Sequence, residues 1–298
     1  MRPVDAVGDL AGLDRIIRPL SAVVRRLPQG VRDLLHGTWF GHPLHPALAQ
    51  VPVGAWTSAA VLDVVAIGAA DPDTRSACER ASTLLLGAGL AAAPAAVAAG
   101  AVDWSQLRRD QQRIGLVHAA GNATAASLLA ASWALRVAGR HRPGRTLGLA
   151  GTAIAGTSAA IGGHLAYRWA AGPSHAEETP YVVPGDWHYV GRLEELPDGG
   201  LWKKYVDDTP VVVLRQGETV QILAERCGHL GGPLSEGTLL EKDGADCVRC
   251  PWHGSTYRFS DGGVVTGPAV APQPRFDVKV EGGAITARAL LPRGVPSA

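Results

Sequence analysis

The sequence has few cysteines and little net charge, and each shortage excludes a class of protein. Only four of the 298 residues are Cys, and three of them, Cys227, Cys247 and Cys250, lie within 24 residues of one another. That number and that clustering exclude a disulfide framework and favour metal binding. The formal net charge of +1 argues against nucleic acid as the main partner.

Lysine is missing from the first 181 residues, which carry 16 Arg and 12 acidic residues, whereas residues 182–298 carry an excess of acids. A mildly basic and apolar first half suits a protein that lies against anionic lipid, and the second half suits a water-soluble module. No secretory signal is visible, because the first 45 residues scatter six Arg among apolar residues without a compact apolar region and a cleavage site.

Four apolar stretches contain almost no charged residues. Each is long enough to cross a hydrocarbon layer as a helix, and they cover residues 47–69, 81–102, 114–137 and 147–170. A soluble Ala-rich bundle is the alternative, but soluble helices of this length need a charged face. We therefore expect an all-α four-helix transmembrane bundle over residues 46–170. Asp63, the only acid deep inside it, is expected to hydrogen-bond between helices or to lie on a proton route.

The distribution of Arg in the short loops predicts the orientation of this bundle. The N-terminal segment and the loop around Arg108 hold somewhat more Arg than the two loops on the opposite side. Four crossings place both termini on one side of the membrane. The favoured arrangement is a multi-pass protein of the cell membrane with both termini in the cytoplasm.

Residues 1–45 precede the bundle and contain apolar residues at helical spacing, with Arg residues between them. This pattern predicts an amphipathic helix that lies in the membrane interface and bends at Pro19. A helix packed on the soluble domain explains the pattern equally well.

After a linker at residues 171–182, the sequence changes to short β-rich runs such as "TPVVVLRQ" and "FDVKVEGG", separated by turn signals such as "PDGG". Short strands at this spacing predict a small all-β domain. Its expected limits are residues 183–292, followed by a tail at residues 293–298.

Cysteine and histidine form a double motif inside this β domain. Its members are Cys227, His229, Cys250 and His253, which read C-x-H, a gap of 20 residues, and C-x-x-H. Two thiolates and two imidazoles are the ligands of a Rieske-type [2Fe–2S] cluster. A zinc site uses the same residue types, so the spacing alone leaves both open.

The flanking sequence distinguishes a Rieske-type cluster from a zinc site. The runs "CGHLGG" and "CPWHGSTYRFSDGGVVTGPA" resemble the two cluster loops of the Rieske family, and the resemblance covers about residues 183–292. It implies a [2Fe–2S] cofactor in which Cys227 and Cys250 bind one iron while His229 and His253 bind the other. Cys247, in contrast, is expected to be a small packed residue.

Four further positions indicate which branch of the Rieske family this domain resembles. Respiratory members carry additional Cys where this chain has Gly232 and Trp252, so their loop-to-loop disulfide cannot form here and the domain resembles the ferredoxin and oxygenase branch. Ser255 and Tyr257 nevertheless match respiratory positions whose hydroxyls donate to cluster sulfurs. Such donors raise the reduction potential. The alternative is that neither hydroxyl donates to the cluster, because Ser255 is a surface residue and Tyr257 is a packed residue.

The apolar stretches also contain histidines. The runs "GHPLHPALAQVPVGAW", "GLVHAAGNA" and "GGHLAY" resemble a bacterial family of four-helix predicted membrane proteins of unknown function, over about residues 38–170. His118 and His164 lie at depths of about 6 and 9 Å along their helices. We expect these two residues to bind a b-type haem. A quinone site and purely structural hydrogen bonds are the alternatives.

Together these features predict a membrane-anchored Rieske ferredoxin without a catalytic site of its own. We expect it to carry single electrons between a membrane redox pool, or a haem in its own anchor, and a cytoplasmic partner. Its expected partners are the lipid bilayer and either a redox protein or a quinone. The alternatives are a redox or nitrosative sensor that couples the cluster to the membrane domain, and a component of a multi-subunit oxygenase or reductase.

Overall fold

The computed structural model describes residues 2–291, so the predicted tail at residues 293–298 lies outside the described part of the chain. The chain divides into two compact units. The helical unit comprises the residues up to Leu27 together with Leu44–Ala171, and the β unit comprises Pro28–Pro43 together with the chain from Gly172 onward. The segment Pro28–Pro43 therefore folds with the C-terminal half, although it lies between two helices of the helical unit in sequence.

Helices dominate the first half of the described residues. The long helices are α4 (Leu44–Gly68), α5 (Pro72–Ser105), α6 (Arg109–Val137) and α7 (His141–Tyr167). The short helices are α1 (Arg2–Val7), α2 (Asp14–Arg25), α3 (Gln29–His36) and α8 (Thr179–Val182). The predicted fold class, a helical bundle followed by a small all-β domain, is confirmed.

The helix α5 begins nine residues before its apolar stretch because the sequence supplies a strong start signal. Asp71 precedes the helix, and its carboxylate accepts a hydrogen bond from the Thr74 backbone N–H at 2.8 Å. Pro72 follows at the first helical position, where a missing N–H costs nothing. Both features extend the helix beyond its apolar part.

Within residues 2–291, three helices are long and apolar enough to cross a membrane, namely α4, α5 and α6. The fourth long helix, α7, does not reach the same hydropathy because Gly, Ser and Thr make up much of its sequence. The helices indicate membrane association. That all four long helices cross the membrane stays a prediction.

Small residues allow the long helices to pack closely. Trp56 of α4 lies directly against Gly89 of α5, where a side chain would collide with the indole ring. On the other side of the bundle, a Cβ at Gly151 of α7 would lie 2.9 Å from Leu129 of α6. Such contacts stabilise helix association where no hydrophobic force acts between helices.

Asp63 of α4 forms a buried ion pair with Arg136 of α6. The two guanidinium nitrogens of Arg136 donate to the two carboxylate oxygens at 2.6 and 2.7 Å, and both side chains are almost completely buried. Ser82 of α5 donates to the same carboxylate at 2.9 Å. The sequence placed Asp63 inside the bundle but did not indicate that Arg136, at the end of the third apolar stretch, is its partner.

The helix α2 packs on the helical unit. Ile17 and Ser21 are buried, and Asp14 binds Arg113 of α6 through two hydrogen bonds of 2.9 and 3.1 Å. Its other apolar residues, such as Ile16 and Val23, are exposed. This amphipathic helix therefore has one face on the bundle and an apolar exposed face, and it continues through Pro19.

The β unit contains three antiparallel sheets in the described residues. The strand orders are β1-β10-β9, β2-β3-β4 and β5-β6-β7-β8. The strands are β1 (His188–Arg192), β2 (Leu201–Val206), β3 (Thr209–Gln216), β4 (Thr219–Ala224), β5 (Thr238–Lys242), β6 (Ala245–Arg249), β7 (Thr256–Arg258), β8 (Val264–Thr266), β9 (Phe276–Glu281) and β10 (Ala284–Ala289).

Tight turns with left-handed residues connect neighbouring strands. Asp243 and Gly244 join β5 to β6 with φ of 54° and 73°, and Gly282 and Gly283 join β9 to β10 with φ of 56° and 77°. Two consecutive positive φ values give the turn whose twist matches an antiparallel hairpin. The two glycines that end the run "FDVKVEGG" therefore form the turn between β9 and β10.

Two apolar cores fill the β unit. One contains Val211 and Val213 of β3 together with Ile285 of β10. The other contains Val212 and Leu214, which alternate with the first pair along β3 and point to the opposite face. Side chains of the double motif belong to this second core, which therefore supports the loops described next.

Candidate metal centre

The first loop of the double motif follows β4 and is closed by its own backbone. The Cys227 N–H donates to the Gly232 carbonyl at 2.8 Å, and the Gly231 N–H donates to the Cys227 carbonyl at 2.8 Å. Gly231 adopts φ of 77°, a conformation that favours glycine. These bonds hold Cys227 and His229 on one tight turn.

The second loop follows β6 and has a similar design. The Cys250 N–H donates to the Ser255 carbonyl at 2.8 Å, and the Gly254 N–H donates to the Cys250 carbonyl at 3.1 Å. Gly254 has φ of 81°. The chain thereby turns within five residues, and His253 lies on the same turn as Cys250.

The two loops bring their ligand residues together as two pairs. Cys227 and Cys250 are 1% and 3% exposed, and their sulfurs hydrogen-bond to each other. The rings of His229 and His253 lie with centroids 4.9 Å apart at an angle of 85°. The Cys pair is buried, whereas His229 and His253 are partly exposed. A binuclear cluster needs two such pairs, one for each iron.

The electrostatics of the site prepare these residues for a metal. The hydrogen bond between the sulfurs raises the pKa of Cys227 and lowers the pKa of Cys250 to about 7, where the backbone N–H groups of Trp252 and His253 also favour the thiolate. Burial lowers the pKa of His229 to about 3, so its ring is neutral at neutral pH.

The Nδ1 atom of His229 is buried and has no hydrogen-bond partner among the described residues. A buried polar atom without a partner carries a cost of about 1–3 kcal/mol. Coordination of a metal by this lone pair removes that cost. The residues present therefore fit a [2Fe–2S] cluster: two thiolates, and two imidazoles of which one presents an unpaired nitrogen.

Gly232 and Trp252 lie next to each other, at the positions compared above with the respiratory cysteines. A Cβ at Gly232 would lie 3.0 Å from the Trp252 ring and 2.9 Å from Cys250 Sγ. The first loop therefore needs glycine there so that its backbone can approach the sulfur. Cys78, Cys227, Cys247 and Cys250 are all free of disulfide bonds.

Tyr257 and Ser255 are both completely buried beside the cysteines. The Tyr257 hydroxyl lies 3.3 Å from Cys227 Sγ and donates to it when the sulfur is a thiolate. Burial raises the pKa of Tyr257 well above its usual value, so the hydroxyl keeps its proton. Ser255 Oγ accepts the Ala269 N–H at 3.0 Å, and its hydroxyl also hydrogen-bonds to Tyr257.

Gln273 supports the first loop and gave no signal in the sequence. Its Oε1 accepts the Gly228 N–H at 3.1 Å, and its Nε2 donates to the carbonyls of Ala224 and Arg226 at 2.8 and 2.6 Å. The residue is 2% exposed. One amide side chain thus satisfies three backbone groups around Cys227.

The segment Pro28–Pro43 contacts a third loop, which joins β8 to β9 and begins at Gly267. Asp33 Oδ1 accepts the Gly267 N–H at 2.8 Å. A Cβ at Gly267 would lie 3.4 Å from the His36 ring, which is 2% exposed. His36 is also close enough to influence the pKa of His229. The sequence did not predict that this N-terminal segment contributes to the site.

The histidines of the helical unit have protein partners. His118 Nδ1 binds the Ser158 carbonyl at 2.7 Å, and its Nε2 lies 3.1 Å from Asn122 Nδ2. His164 Nε2 binds the Asp5 carboxylate at 2.8 Å. The ring nearest to His118 in the described part is that of His45, at 6.5 Å between centroids. The predicted haem on His118 and His164 stays a prediction.

Cys247 lies in β6, where it pairs with Arg258 of β7 and Leu240 of β5. It is completely buried, and burial raises the pKa of its thiol. Its position in a sheet, away from the loop residues, agrees with the expected packed residue.

The fold and the site define an iron–sulfur electron-transfer domain joined to a membrane-associated helical domain. Residues 41–174 match the family described as Predicted membrane protein (DUF2231), and residues 186–279 match the Rieske [2Fe-2S] domain. The chain is therefore a fusion of a DUF2231 domain with a Rieske domain, which carries a [2Fe–2S] cluster.

Similar proteins share the Rieske half. Apoptosis-inducing factor 3 of Mus musculus is 30% identical over 122 residues, which are 39% of this chain and 20% of that protein. The Cytochrome b6-f complex iron-sulfur subunit of Chlorobaculum tepidum is 32% identical over 97 residues, 32% of this chain and 50% of that protein. The chain thus spans half or less of these curated relatives.

Among solved structures, the Ferredoxin of carbazole 1,9a-dioxygenase from Nocardioides aromaticivorans is 26% identical with a TM-score of 0.32 and covers 34% of this chain and 96% of that chain.

Proposed function

We propose that this protein is a membrane-anchored one-electron carrier that exchanges electrons between a membrane redox pool and a cytoplasmic partner. The observation that carries the proposal is the difference in exposure across the site: the cysteines are buried, whereas His229 and His253 are partly exposed. A [2Fe–2S] cluster held there accepts and returns one electron at a time. The imidazole side is then the side at which a partner docks.

The residues around the ligands keep the rest of the site dry and rigid. Tyr257 and Ser255 are buried against the cysteines, and Gln273 fixes the backbone of the first loop. Trp252 is 55% exposed next to His253 in sequence. An exposed indole beside the redox ligands suits a transient protein or quinone contact, because Trp provides a large apolar surface at low entropic cost.

The membrane anchor supports a redox partner within or near the bilayer. Three apolar helices and the excess of Arg on one set of loops favour a cell-membrane protein with its Rieske domain in the cytoplasm. A reporter inserted in the connection between Gly68 and Pro72, which joins α4 to α5, should behave as exterior. A cytoplasmic signal from a reporter at that position would contradict this orientation.

A second candidate is a component of a multi-subunit oxygenase. The Anthranilate 1,2-dioxygenase ferredoxin subunit of Burkholderia cepacia is 25% identical over 100 residues, which are 89% of that protein. Fast reduction of the cluster by quinol in proteoliposomes favours the membrane carrier, and fast reduction only by a soluble reductase favours the oxygenase component. A partner whose binding changes with cluster oxidation state would favour the redox or nitrosative sensor instead.

The cluster itself is tested by EPR of the reduced, purified full-length chain. We expect a signal with a low average g, as His ligation gives. His229→Ala and His253→Ala should abolish it, whereas His188→Ala, in a strand of the same unit, should leave it unchanged. A colourless protein with one zinc per chain would overturn the assignment.

A further inference from the structure

The segment Pro28–Pro43 is attached to the rest of the β unit through one side of α3. Asp33 and His36 are three residues apart on this helix and therefore share a side. A Cβ at Gly267 of the third loop would lie 3.3 Å from Asp33 and 3.4 Å from the His36 ring, and His36 is buried. This side binds the segment to the metal centre.

The opposite side of the segment exposes four large apolar residues, here called the aromatic patch: Val31, Leu34, Trp39 and Phe40. Val31 and Leu34 are also three residues apart and share a side of α3. The Trp39 indole N–H donates to the Leu34 carbonyl at 3.2 Å, and the rings of Trp39 and Phe40 have centroids 5.5 Å apart. The patch is therefore continuous, and continuous exposed apolar surface marks an interaction site.

The polar groups beneath the aromatic patch are satisfied within the segment itself. The Leu34 carbonyl accepts the Gly37 N–H at 3.2 Å in addition to the Trp39 indole N–H. Gly37 ends α3 with φ of 84°, and the Thr38 N–H donates to the Asp33 carbonyl at 3.2 Å. Because these groups are paired, the patch can enter a lipid environment without the cost of an unpaired polar group.

The position of the aromatic patch in the chain determines which surface it can reach. Phe40 is four residues before Leu44, the first residue of α4, and four residues of extended chain span at most about 14 Å. The helix α4 is long and apolar enough to cross a membrane. The headgroup region extends about 5–7 Å beyond the hydrocarbon on each side of a bilayer. The patch is therefore within reach of the bilayer interface.

A bilayer fits the aromatic patch better than a soluble protein does. Residues 28–43 carry one Arg and one Asp, and the carboxylate of that Asp33 accepts the Gly267 N–H. Complementary charge steers soluble partners to each other, and this segment offers no net charge for that purpose. Trp side chains, in contrast, are enriched at the headgroup level of membrane proteins.

We propose that the aromatic patch docks the β unit on the interface of the lipid bilayer. Gly267 contacts one side of α3 and the lipid contacts the other, so docking holds the third loop about one helix diameter, roughly 10 Å, from the headgroups. A lipid-soluble electron donor then meets the metal centre at the membrane surface, and this consequence rests on the proposed function. The docking itself involves no electron transfer, so it can be tested separately.

The test uses the full-length chain with a nitroxide label at Leu34→Cys, reconstituted in bilayers of phosphatidylcholine and phosphatidylglycerol. Cys78→Ser removes the half-buried cysteine, and the other three cysteines are buried. EPR power saturation compares collisions of the label with oxygen, which concentrates in lipid, and with a water-soluble nickel complex. We expect oxygen to dominate at Leu34→Cys. At Tyr205→Cys, the matched control at an exposed position of β2, the nickel complex should dominate.

Removal of the aromatic rings separates docking from the fold of the segment. Trp39→Ser together with Phe40→Ser should move the Leu34→Cys label into water, so that collisions with the nickel complex become the more frequent ones. Tyr205→Ser should leave the label in lipid. The visible absorbance of the [2Fe–2S] cluster checks that the β unit is folded in each variant.

Two results would overturn the proposal. In the first, the nickel complex reaches Leu34→Cys as freely as Tyr205→Cys, which means that the aromatic patch lies in water. In the second, the label is protected from both reagents, which means that a protein surface, such as that of a second copy of the chain, covers the patch instead of lipid. A label immersed in lipid without reduction of the cluster by quinol would contradict the proposed electron transfer and support the docking.

Discussion

The carboxylate of Asp33 accepts a hydrogen bond of 2.8 Å from the backbone N–H of Gly267, which lies 234 residues further along the chain. This bond joins α3 to the third loop of the metal centre. Because the donor is a backbone N–H and the acceptor is charged, we expect it to contribute about 1.5–3 kcal/mol. The segment Pro28–Pro43 is thus a structural part of the Rieske site.

Asp33→Ala should release the third loop locally. Loss of about 1.5–3 kcal/mol from local opening predicts roughly a ten- to hundredfold faster hydrogen exchange of the Gly267 amide, measured by mass spectrometry of the intact chain. Asp186→Ala, at an exposed position of the same unit, is the control. Unchanged exchange in Asp33→Ala would mean that other contacts hold the loop.

Tyr257→Phe should lower the midpoint potential of the cluster. The variant removes the hydroxyl that lies 3.3 Å from Cys227 Sγ and so removes a donor that favours the more negative, reduced state. A shift of about 30 mV corresponds to roughly 0.7 kcal/mol, the scale of a modest hydrogen bond. Redox titration followed by EPR measures it, and Tyr189→Phe, which changes a 60% exposed residue, should leave the potential unchanged.

Ser255→Ala tests the second hydroxyl in the same titration. If Ser255 donates to a cluster sulfur, its removal should lower the potential by a similar amount. The Ser255 Oγ also accepts the Ala269 N–H, so the variant should be less stable to heat as well. Loss of stability without a change in potential would show that the hydroxyl acts only on the third loop.

The sequence predicted the parts of the site that lie on short motifs. Cys227, His229, Cys250 and His253 are fixed by local spacing, and Tyr257 is adjacent to that motif. Residues that act over a long range left no pattern. Gln273 is 45 residues from Gly228, whose N–H it accepts, and nothing in the surrounding "APQPRF" marks it.

In the helical unit, too, local patterns were predictable from the sequence and long-range contacts were not. The positions of the long helices follow from the apolar stretches, and Asp63 is recognisable as the only acid in an apolar run. Its partner is not, because Arg136 lies in the last turn of α6 and is 73 residues away. A long side chain at a helix end can reach into the bundle, and counting Arg by loop does not register this.

Removal of one partner from the Asp63–Arg136 pair should destabilise the helical unit strongly. The two side chains are 2% and 1% exposed, so Asp63→Asn or Arg136→Met leaves a buried charge without its partner, at a cost of about 3–5 kcal/mol. The double variant Asp63→Leu with Arg136→Met should be more stable than either single variant, because it leaves no buried charge. Thermal unfolding in detergent measures all three.

The pair Glu79–Arg145 provides the matched control for burial. It joins α5 to α7 at the same 2.6 Å, but its side chains are 18% and 14% exposed. Water reaches these groups, so Glu79→Gln should cost less than Asp63→Asn. Equal costs would mean that the geometry of the pair, and not its burial, determines stability. If Asp63→Asn instead leaves stability unchanged and slows proton-coupled electron transfer in proteoliposomes, Asp63 belongs to a proton route rather than to a structural ion pair.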